Sequence, residues 1–313
     1  MNTAASEVEA EIRSAYRWIL GRDPDPHGLA TYSSLMRSGK LNAQGLRDNL
    51  LSSAEFRKNR PGQSVEQREA VNELVKQHTG MIVQRGPFAG MRMIDGSMRG
   101  DGDIAPKLLG TYEQELHPHL ERFAKRPYDA LIDVGCAEGY YSVGAARLFP
   151  GAPVIAYDSD KGALDILLMI AEQNGCTDQI RTGQFCDPAT LRAVLRDHPH
   201  SLVIVDCEGY EKTLFSDPET NKWAASSDLI IECHDIWDHK ITPTITGALA
   251  GTHDITVERA SGRDPNVFPF LAGLSDWDRW RSVWERRGCL MHWLICEGRN
   301  KQAIDQSVYT INL

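Results

Sequence analysis

From Tyr128 onward the sequence alternates between short apolar runs and longer amphipathic runs, and this alternation limits the fold more than any other feature. Strands that alternate with helices build a mainly parallel sheet with helices on both of its faces. The pattern therefore predicts an α/β domain with a doubly wound sheet, in which residues 262–288 form a long insertion before the last strand. The predicted strands lie in "ALIDVG", "APVIAYDSD", "IRTGQFC", "HSLVIVDCEG", "SDLIIECHD", "HDITVERAS" and "CLMHWLICEG".

In the first 58 residues, apolar side chains recur at helical spacing instead. Apolar positions in "SEVEAEIRSAYRWILG", "LATYSSLMRSG" and "NAQGLRDNLLSSAEFRK" predict three short amphipathic helices. Residues 81–93 predict a hairpin or a cover over the next domain, and residues 106–125 predict a single helix. We therefore divide the chain into a small all-α accessory domain (1–60), a linker helix and cover segment (61–105) and an α/β domain (106–313).

Charge and cysteine content narrow the classes of partner. A formal net charge of −9 gives no basic surface for nucleic acid or anionic lipid. The seven cysteines include no C-x-x-C pair and lie mostly in apolar runs, which indicates buried thiols rather than disulfides or a zinc site. The N-terminal residues lack an apolar core, and no run approaches about 18 apolar residues. We therefore expect a cytoplasmic protein without a signal peptide or a membrane span.

The turn after the first predicted strand is the first candidate for a ligand site. Ligands of doubly wound sheets bind at the carboxyl ends of strands, and "LIDVGCAEGYYSVGAA" at 131–146 offers backbone N–H groups of small residues there. The turn departs from the dinucleotide pattern G-x-G-x-x-G, because Ala137 replaces the second glycine and Glu138 brings a negative charge toward a phosphate. A cationic ligand without phosphate tolerates both Asp133 and Glu138. S-adenosylmethionine is such a ligand.

The ends of the next two strands add groups that suit a nucleoside. Asp158 ends the second strand and is expected to accept the ribose hydroxyls. After the third strand, Phe185, Cys186 and Asp187 are expected to frame the adenine, with Asp187 accepting from its exocyclic amine. The alternative role for Asp187 is an N-cap ahead of Pro188.

These residues, together with "GPFAGM", "LLGTYEQEL" and "LVIVDCEGYEKTLF" followed by "DLIIECHD", resemble class I S-adenosylmethionine-dependent methyltransferases, and more narrowly their FkbM-like branch. The resemblance covers about residues 81–260. It implies a Rossmann-like sheet of seven strands with an antiparallel last strand, and methyl transfer to oxygen. It also implies that Tyr112 and Glu113 approach the cofactor. The predicted cofactor-binding residues are Tyr112, Glu113, Asp133, Gly135, Cys136, Ala137, Glu138, Gly139, Tyr140, Asp158, Cys186, Asp187 and Asp206.

A second resemblance covers the N-terminal helical residues. The segment from Tyr16 to Asn59 resembles a bacterial helical domain of unknown function. The motifs that carry this resemblance are "LGRDPD", "GLATY" and "SSAEF". That domain accompanies surface-layer, haemolysin-like and glycan-modifying proteins. The resemblance implies no catalysis, but it favours a hydroxyl of a sugar or glycan precursor as the methyl acceptor. Two further alternatives are that the helical domain contacts another protein and that the chain forms a homo-oligomer.

The ends of the fourth and fifth predicted strands carry the predicted catalytic groups. Asp206 and Glu208 follow the fourth strand, and His234 follows the fifth. We expect His234 to act as the general base, because a neutral imidazole is available near pH 7. A nearby acid is the alternative base, and the preferred reaction uses no metal.

Two further alternatives remain for the same residues. A divalent ion such as Mg²⁺ would orient and acidify the hydroxyl of a catechol-like or macrolide-sugar acceptor. A cofactor-binding scaffold without catalysis is the other alternative. The ligands predicted for a metal are Asp206, Glu208, Glu232, His234 and Asp235.

The insertion at residues 262–288 carries one further pattern. Trp277, Trp280 and Trp284 recur at helical spacing and predict one apolar helix face. That face packs against the core or acts as a lid; the alternative is a wall against the substrate.

Overall fold

Seven strands form one mixed sheet among the residues that the structure, a computed structural model, describes: 3–58, 65–98 and 103–299. The strands are β1 (Ala130–Val134), β2 (Val154–Tyr157), β3 (Ile180–Gly183), β4 (Ser201–Val205), β5 (Asp228–Cys233), β6 (His253–Arg259) and β7 (His292–Gly298). Their order across the sheet is β3-β2-β1-β4-β5-β7-β6.

The first five strands are parallel, and the order reverses between β1 and β4. β7 runs antiparallel to both β5 and β6. Every residue of β1, β4 and β5 is buried, as expected for parallel strands that are covered on both faces. The predicted α/β architecture, a Rossmann-like sheet of seven strands with an antiparallel last strand, is confirmed.

Helices cover both faces of the sheet. Side chains alternate along β1, so Leu131 packs into the core on one face while Ile132 and Val134 pack into the core on the other. None of the helices in the described residues is long and apolar enough to cross a membrane. The helices are α1 (Thr3–Leu20), α2 (Pro26–Arg37), α3 (Ala43–Leu51), α4 (Ala54–Lys58), α5 (Val65–Thr79), α6 (Ile104–Leu109), α7 (His117–Phe123), α8 (Tyr140–Leu148), α9 (Lys161–Gln173), α10 (Pro188–Asp197), α11 (Glu211–Phe215), α12 (Pro218–Ala224), α13 (Ile241–Leu249) and α14 (Asp276–Arg281).

Between α5 and β1, the structure corrects one predicted element and decides between the two alternatives for another, the hairpin and the cover. The single helix predicted for residues 106–125 is divided into α6 and α7, because Gly110 has φ +70° and a Cβ at this position would lie 2.1 Å from the carbonyl oxygen of Arg85. The hairpin predicted for residues 81–93 is reduced to one isolated bridge between Ile82 and Arg92. This segment instead covers one face of the sheet, where Phe88 and Met91 join the core.

The N-terminal helices have an apolar cluster of their own. The third predicted helix is divided at Ser52, whose hydroxyl donates to the carbonyl of Asp48 at 2.7 Å and so ends α3. The cluster also includes Ile236, in the loop that follows β5. Its buried members are Ile12, Ala15, Tyr16, Ile19, Leu46, Leu50 and Ile236.

Candidate functional site

A pocket of about 420 Å³ lies at the carboxyl ends of β1, β2 and β4, where the strand order reverses. We call it the strand-end pocket. Doubly wound sheets bind ligands at this position. Its lining residues are Lys107, Tyr112, Val134, Gly135, Ala137, Tyr157, Asp158, Ser159, Asp160, Ala163, Gln184, Phe185, Cys186, Asp206, Cys207, Glu208 and Tyr210.

The glycine turn forms one wall of this pocket. Gly135 has φ +87°, and a Cβ there would lie 1.6 Å from the carbonyl oxygen of Asp206. Only glycine therefore lets the turn after β1 pass so close to the end of β4. Ala137 also has a positive φ, +44°, which is uncommon for a residue with a side chain. Glu208, at the end of β4, has φ +54°.

Asp158 lies at the edge of the strand-end pocket, as predicted. Its carboxylate accepts a hydrogen bond from the backbone N–H of Ala137 and another from that of Asp160, each at 2.8 Å. The side chain is thus held between the turn after β1 and the start of α9. Carboxylate oxygens can each accept more than one bond, so the ribose-binding role predicted for Asp158 is compatible with these contacts.

The residues after β3 divide into two groups. Phe185 and Cys186 line the strand-end pocket, and the exposed Phe185 ring lies 5.2 Å from the ring of Tyr210. Asp187 instead accepts from the backbone N–H of Thr190 at 2.7 Å and caps α10. The structure therefore gives Asp187 the N-cap role that the sequence left as an alternative.

Other predicted cofactor residues support the turn without lining the strand-end pocket. The buried carboxyl of Asp133 accepts from the hydroxyl of Ser142 at 2.5 Å. Burial raises the pKa of Asp133 to about 7, although this hydrogen bond opposes the shift. Cys136 and Tyr140 are buried in the core of this face, and Gly139 packs against Leu167.

Glu138 does not face a ligand. Its carboxylate is fully buried and forms an ion pair with Lys107 of α6. The negative charge that the sequence placed toward a phosphate is therefore directed away from the strand-end pocket and balanced. Lys107 itself lines the pocket, and its ammonium lies 4.6 Å and 5.3 Å from the ring centroids of Tyr112 and Tyr140.

Lys107 is a residue that the sequence analysis missed. It lies in "IAPKLL", an otherwise apolar helix in which all six residues are buried. Lysine is almost never fully buried unless it is paired, so a lysine inside such a run is a signal for a buried carboxylate partner.

Carboxyl groups and one imidazole converge at the ends of β4 and β5. His234 is buried, and its Nδ1 lies 2.8 Å from Glu211. Its Nε2 lies 3.5 Å from an oxygen of Asp206, 3.5 Å from one of Glu208 and 3.9 Å from one of Glu232. The structure thus brings the three predicted catalytic residues together, with Asp206 and Glu208 lining the strand-end pocket.

A partly buried arginine connects these groups to the insertion. Arg287 donates to Glu113 at 2.5 Å, to Glu285 at 2.8 Å and also to Glu232. Glu113, which the resemblance placed at the cofactor, is buried behind the pocket wall and accepts a hydrogen bond from Tyr141. We call Glu113, Asp206, Glu208, Glu211 and Glu232, together with His234 and Arg287, the acidic cluster.

Arg287 is the second residue that the sequence analysis missed. It lies in "WERRG", a charged stretch of the insertion that reads as a solvated surface. Two of the three glutamates that it pairs with, Glu113 and Glu232, lie far away in the sequence, so their proximity appears only in the folded chain.

Burial and mutual charge shift the pKa values of the acidic cluster. Burial raises the pKa of Glu113 to about 8, although Arg287 opposes the shift. Burial and the charge of Glu232 raise the pKa of Asp206 well above its ordinary range. Burial alone would lower the pKa of His234, but the bond to Glu211 and the charges of Glu232 and Asp206 raise it to about 10. The imidazole is therefore protonated at neutral pH, unlike the neutral base that the sequence analysis assumed.

Within the acidic cluster, two groups of three side chains have the spacing of metal ligands. In one group, ligand atoms of Asp206, Glu208 and His234 lie within 4.8 Å of one another, and in the other those of Glu113, Asp206 and Glu232 do. Asp235 joins neither group. It turns toward α13 and accepts from the backbone N–H of Thr242 at 3.0 Å and from its hydroxyl at 2.7 Å.

Comparison with known proteins adds a likeness of overall arrangement. No family model matches the chain, and no curated protein matches it. Among solved structures, it is similar to precorrin-6y C5,15-methyltransferase from Geobacter metallireducens, with 8% identity, a TM-score of 0.42, and coverage of 66% of this chain and 93% of that one. It is also similar to the O-methyltransferase TomG from Streptomyces achromogenes in complex with SAM, with 12% identity, a TM-score of 0.40, and coverage of 74% and 99%.

Proposed function

We propose that this chain is an S-adenosylmethionine-dependent O-methyltransferase. The observation that carries the proposal is the excess of carboxyl groups beside the strand-end pocket. The acidic cluster contains five carboxyl groups but only one guanidinium and one imidazole. Even when their raised pKa values keep Glu113 and Asp206 protonated, the other three carboxyl groups outnumber these two cations. Such a field attracts a cation and repels a diphosphate. A sulfonium nucleoside carries that positive charge, and a nicotinamide dinucleotide carries two negative phosphates beside its own cation.

The lining of the pocket supports a nucleoside with an amino-acid tail. Asp158 is placed to accept the ribose hydroxyls, and Phe185 offers an exposed aromatic face for the adenine. Lys107 is the cation that we assign to the carboxylate of the tail. When bound, the cofactor supplies a methyl carbon that its sulfonium activates toward nucleophiles.

The proton of the acceptor hydroxyl needs a base that faces the strand-end pocket. Asp206 and Glu208 line it, whereas His234 lies behind them. The protonated state of His234 also favours a carboxylate as the proton acceptor. We therefore assign this role to Asp206, whose raised pKa makes its carboxylate a stronger base once it has released its own proton. We assign to His234 the task of holding Asp206 and Glu208 in place. This revises the preferred base of the sequence analysis in favour of its alternative, a nearby acid.

A metal-assisted version of the same reaction is the second candidate. His234 points Nε2 toward Asp206 and Glu208, while its Nδ1 lies 2.8 Å from the buried Glu211. A carboxylate behind a histidine is the arrangement that orients metal-binding imidazoles in proteins. The residues thus fit a divalent ion, which would lower the pKa of the acceptor hydroxyl.

The sugar or glycan acceptor stays a prediction, since it depends only on the proteins that the N-terminal helical domain accompanies. The same holds for protein contacts through that domain and for the cytoplasmic location. The insertion at residues 262–288 provides a separate basis for inferring the chemical class of the acceptor.

Methyl transfer itself tests the proposal. Purified protein is incubated with methyl-labelled S-adenosylmethionine and a fractionated cell extract, and labelled products are counted. We expect label in an extract component, and a loss of at least about 100-fold with Asp206→Asn, since general-base catalysis contributes about 10²–10⁴-fold. Asp165→Asn, an exposed control on α9, should leave the rate unchanged. Binding of the cofactor without any transfer would instead support the non-catalytic scaffold.

Chelation separates the two versions of the reaction. Removal of divalent ions with EDTA should leave turnover unchanged if Asp206 alone takes the proton. Loss of turnover that Mg²⁺ or Mn²⁺ restores would replace this mechanism with the metal-assisted one.

A further inference from the structure

The insertion encloses a second cavity, of about 530 Å³, which we call the tryptophan cavity. Cavities of about 300–1,000 Å³ are typical of small-molecule sites. Its apolar walls come from Trp277, Trp280 and Trp284 together with Val283 and Leu290. We infer that this cavity binds the methyl acceptor, and that the acceptor is an uncharged aromatic alcohol; the inference rests on the proposed methyltransferase function.

The tryptophan side chains line the cavity instead of packing into the hydrophobic core. Trp277 and Trp280 are 56% and 46% exposed, although both lie on the short helix α14. Large aromatic side chains that are left exposed around a concave surface mark a binding site more often than a random surface. Flat indole faces favour a flat apolar partner.

The charged residues of the tryptophan cavity are already balanced. Arg263 donates to Glu115 and lies 2.6 Å from Glu285, and it also donates to the carbonyl of Thr111. Arg287 is paired with the three glutamates described above, and Arg281 lies 3.5 Å from Asp278. An anionic ligand would therefore gain little from any of the three guanidinium groups that line the cavity.

The same balance disfavours a sugar in this cavity. A sugar has hydroxyl groups on every side, and burying them without hydrogen-bond partners costs about 1–3 kcal/mol each on the scale of protein mutational data. A phenol exposes one hydroxyl and otherwise presents aromatic surface. The lining of the tryptophan cavity suits a phenol better than a sugar. The acceptor class is therefore inferred from the cavity and not from the N-terminal resemblance.

The position of the cavity connects it to the proposed chemistry. Arg287 lines the tryptophan cavity and contacts Glu113 and Glu232. Carboxylate oxygens of these two glutamates lie within 4.8 Å of one of Asp206, which lines the strand-end pocket. Arg287 and its bonds to these two glutamates therefore separate the two spaces, which share no lining residue. An aromatic acceptor held by the tryptophans would place its hydroxyl at Arg287, and this side chain has to move for the hydroxyl to reach Asp206.

Calorimetric binding of 2-naphthol tests the inference. Titrations use the full chain, with and without saturating S-adenosylhomocysteine, and compare Trp277→Leu, Trp280→Leu and the double variant. Both side chains are largely exposed, so we expect the variants to fold, which a thermal melt verifies. Trp223→Leu is the matched control, because Trp223 is 37% exposed on α12 and lines neither the strand-end pocket nor the tryptophan cavity.

We expect 2-naphthol to bind the wild type and the control equally and the double variant at least tenfold more weakly. Methyl β-D-glucopyranoside and benzoate should bind at least tenfold more weakly than 2-naphthol. Equal affinity of 2-naphthol for the wild type and the double variant would overturn the inference, and so would tighter binding of the glucoside or of benzoate. If 2-naphthol binds through the tryptophans while S-adenosylhomocysteine does not bind at all, the proposed function fails and the aromatic site stands.

Discussion

At the scale of single residues, unusual backbone conformations gather at the candidate site. Five non-glycine residues have a positive φ among those that the structure describes, and three of them are Glu113, Ala137 and Glu208. Ala137 and Glu208 line the strand-end pocket, and Glu113 belongs to the acidic cluster beside it. Such conformations cost about 1–3 kcal/mol each and persist where the surrounding structure holds them. Their grouping supports a functional role for these turns, independently of the charges there.

Gly135→Ala tests the close approach of the turn to β4. The added methyl would overlap the Asp206 carbonyl, so we expect a loss of about 3 kcal/mol or more in the free energy of unfolding, measured by urea denaturation. Gly151→Ala is the matched control, because Gly151 also has a positive φ, +96°, but nothing lies within 4 Å of an added Cβ. Its cost should stay near 1 kcal/mol. Equal losses in the two variants would mean that the positive φ alone requires glycine at position 135, and that the close contact with the Asp206 carbonyl does not add to the loss.

Asp133 should make stability depend on pH. Its pKa is raised from 3.8 to about 7 by burial, so the folded state holds a proton that the unfolded state releases. The stabilising contribution is fully present below about pH 4 and is lost as the pH rises through about 7. Three pKa units correspond to roughly 4 kcal/mol.

The expected result for Asp133→Asn is a flatter profile of unfolding free energy between pH 4 and pH 8, from urea denaturation at each pH. Asp178→Asn, an exposed carboxyl, serves as the control and should keep the wild-type slope. A slope in Asp133→Asn as steep as in the wild type would show that another group is responsible.

At the scale of elements, a buried ion pair connects α6 to the turn that leads into α8. Glu138 is inaccessible to solvent, and the buried Lys107 also borders the strand-end pocket. The helix predicted for residues 106–125 includes Lys107, but the sequence did not indicate which carboxylate the lysine contacts. The pair therefore connects α6 directly to the turn that forms one wall of the pocket.

Lys107→Met should destabilise the fold by about 3–5 kcal/mol, because it removes the positive charge beside a fully buried carboxylate. The double variant Lys107→Met/Glu138→Gln removes both charges and should recover much of this loss in the same denaturation measurement. No recovery in the double variant would contradict a direct coupling between the two side chains.

At the scale of the whole molecule, the N-terminal helices are tied to the loop that follows β5. Arg47 of α3 is buried, donates to the carbonyl of Ile236 and pairs with Glu11 of α1. Glu11 also lies 2.8 Å from His239. This loop begins at His234, which belongs to the acidic cluster. The N-terminal helices therefore contact the same loop that carries His234.

Arg47→Met should therefore loosen residues 234–239 and lower the rate of methyl transfer several-fold, while the affinity for S-adenosylhomocysteine stays the same. Hydrogen exchange of the loop amides measures the first effect. Arg37→Met is the control, because Arg37 forms an exposed ion pair with Glu9 at 3.0 Å. Unchanged exchange in Arg47→Met would show that the helices do not position the loop.

The sequence predicted the sheet well because β1, β4 and β5 are buried on both faces and so appear as uninterrupted apolar runs. It predicted that Asp158 and Asp206 lie at one edge of the sheet, because strand ends in such a sheet meet there, and both line the strand-end pocket. Their binding and catalytic roles stay predictions. It missed Lys107 and Arg287, whose partners are distant in sequence, and it assigned the wrong protonation state to His234, because that state depends on carboxylates from other elements. The division into domains at residues 60 and 105 stays a prediction.

The central claim is that the strand-end pocket binds a sulfonium nucleoside, and calorimetry with S-adenosylmethionine, its demethylated product S-adenosylhomocysteine and NAD tests it most directly. The account predicts that the wild type binds S-adenosylmethionine and S-adenosylhomocysteine and not NAD. It also predicts that Asp158→Ala weakens the binding of S-adenosylmethionine at least about tenfold, or roughly 1.4 kcal/mol, while Asp165→Ala does not. Binding of NAD without binding of S-adenosylmethionine would contradict the account.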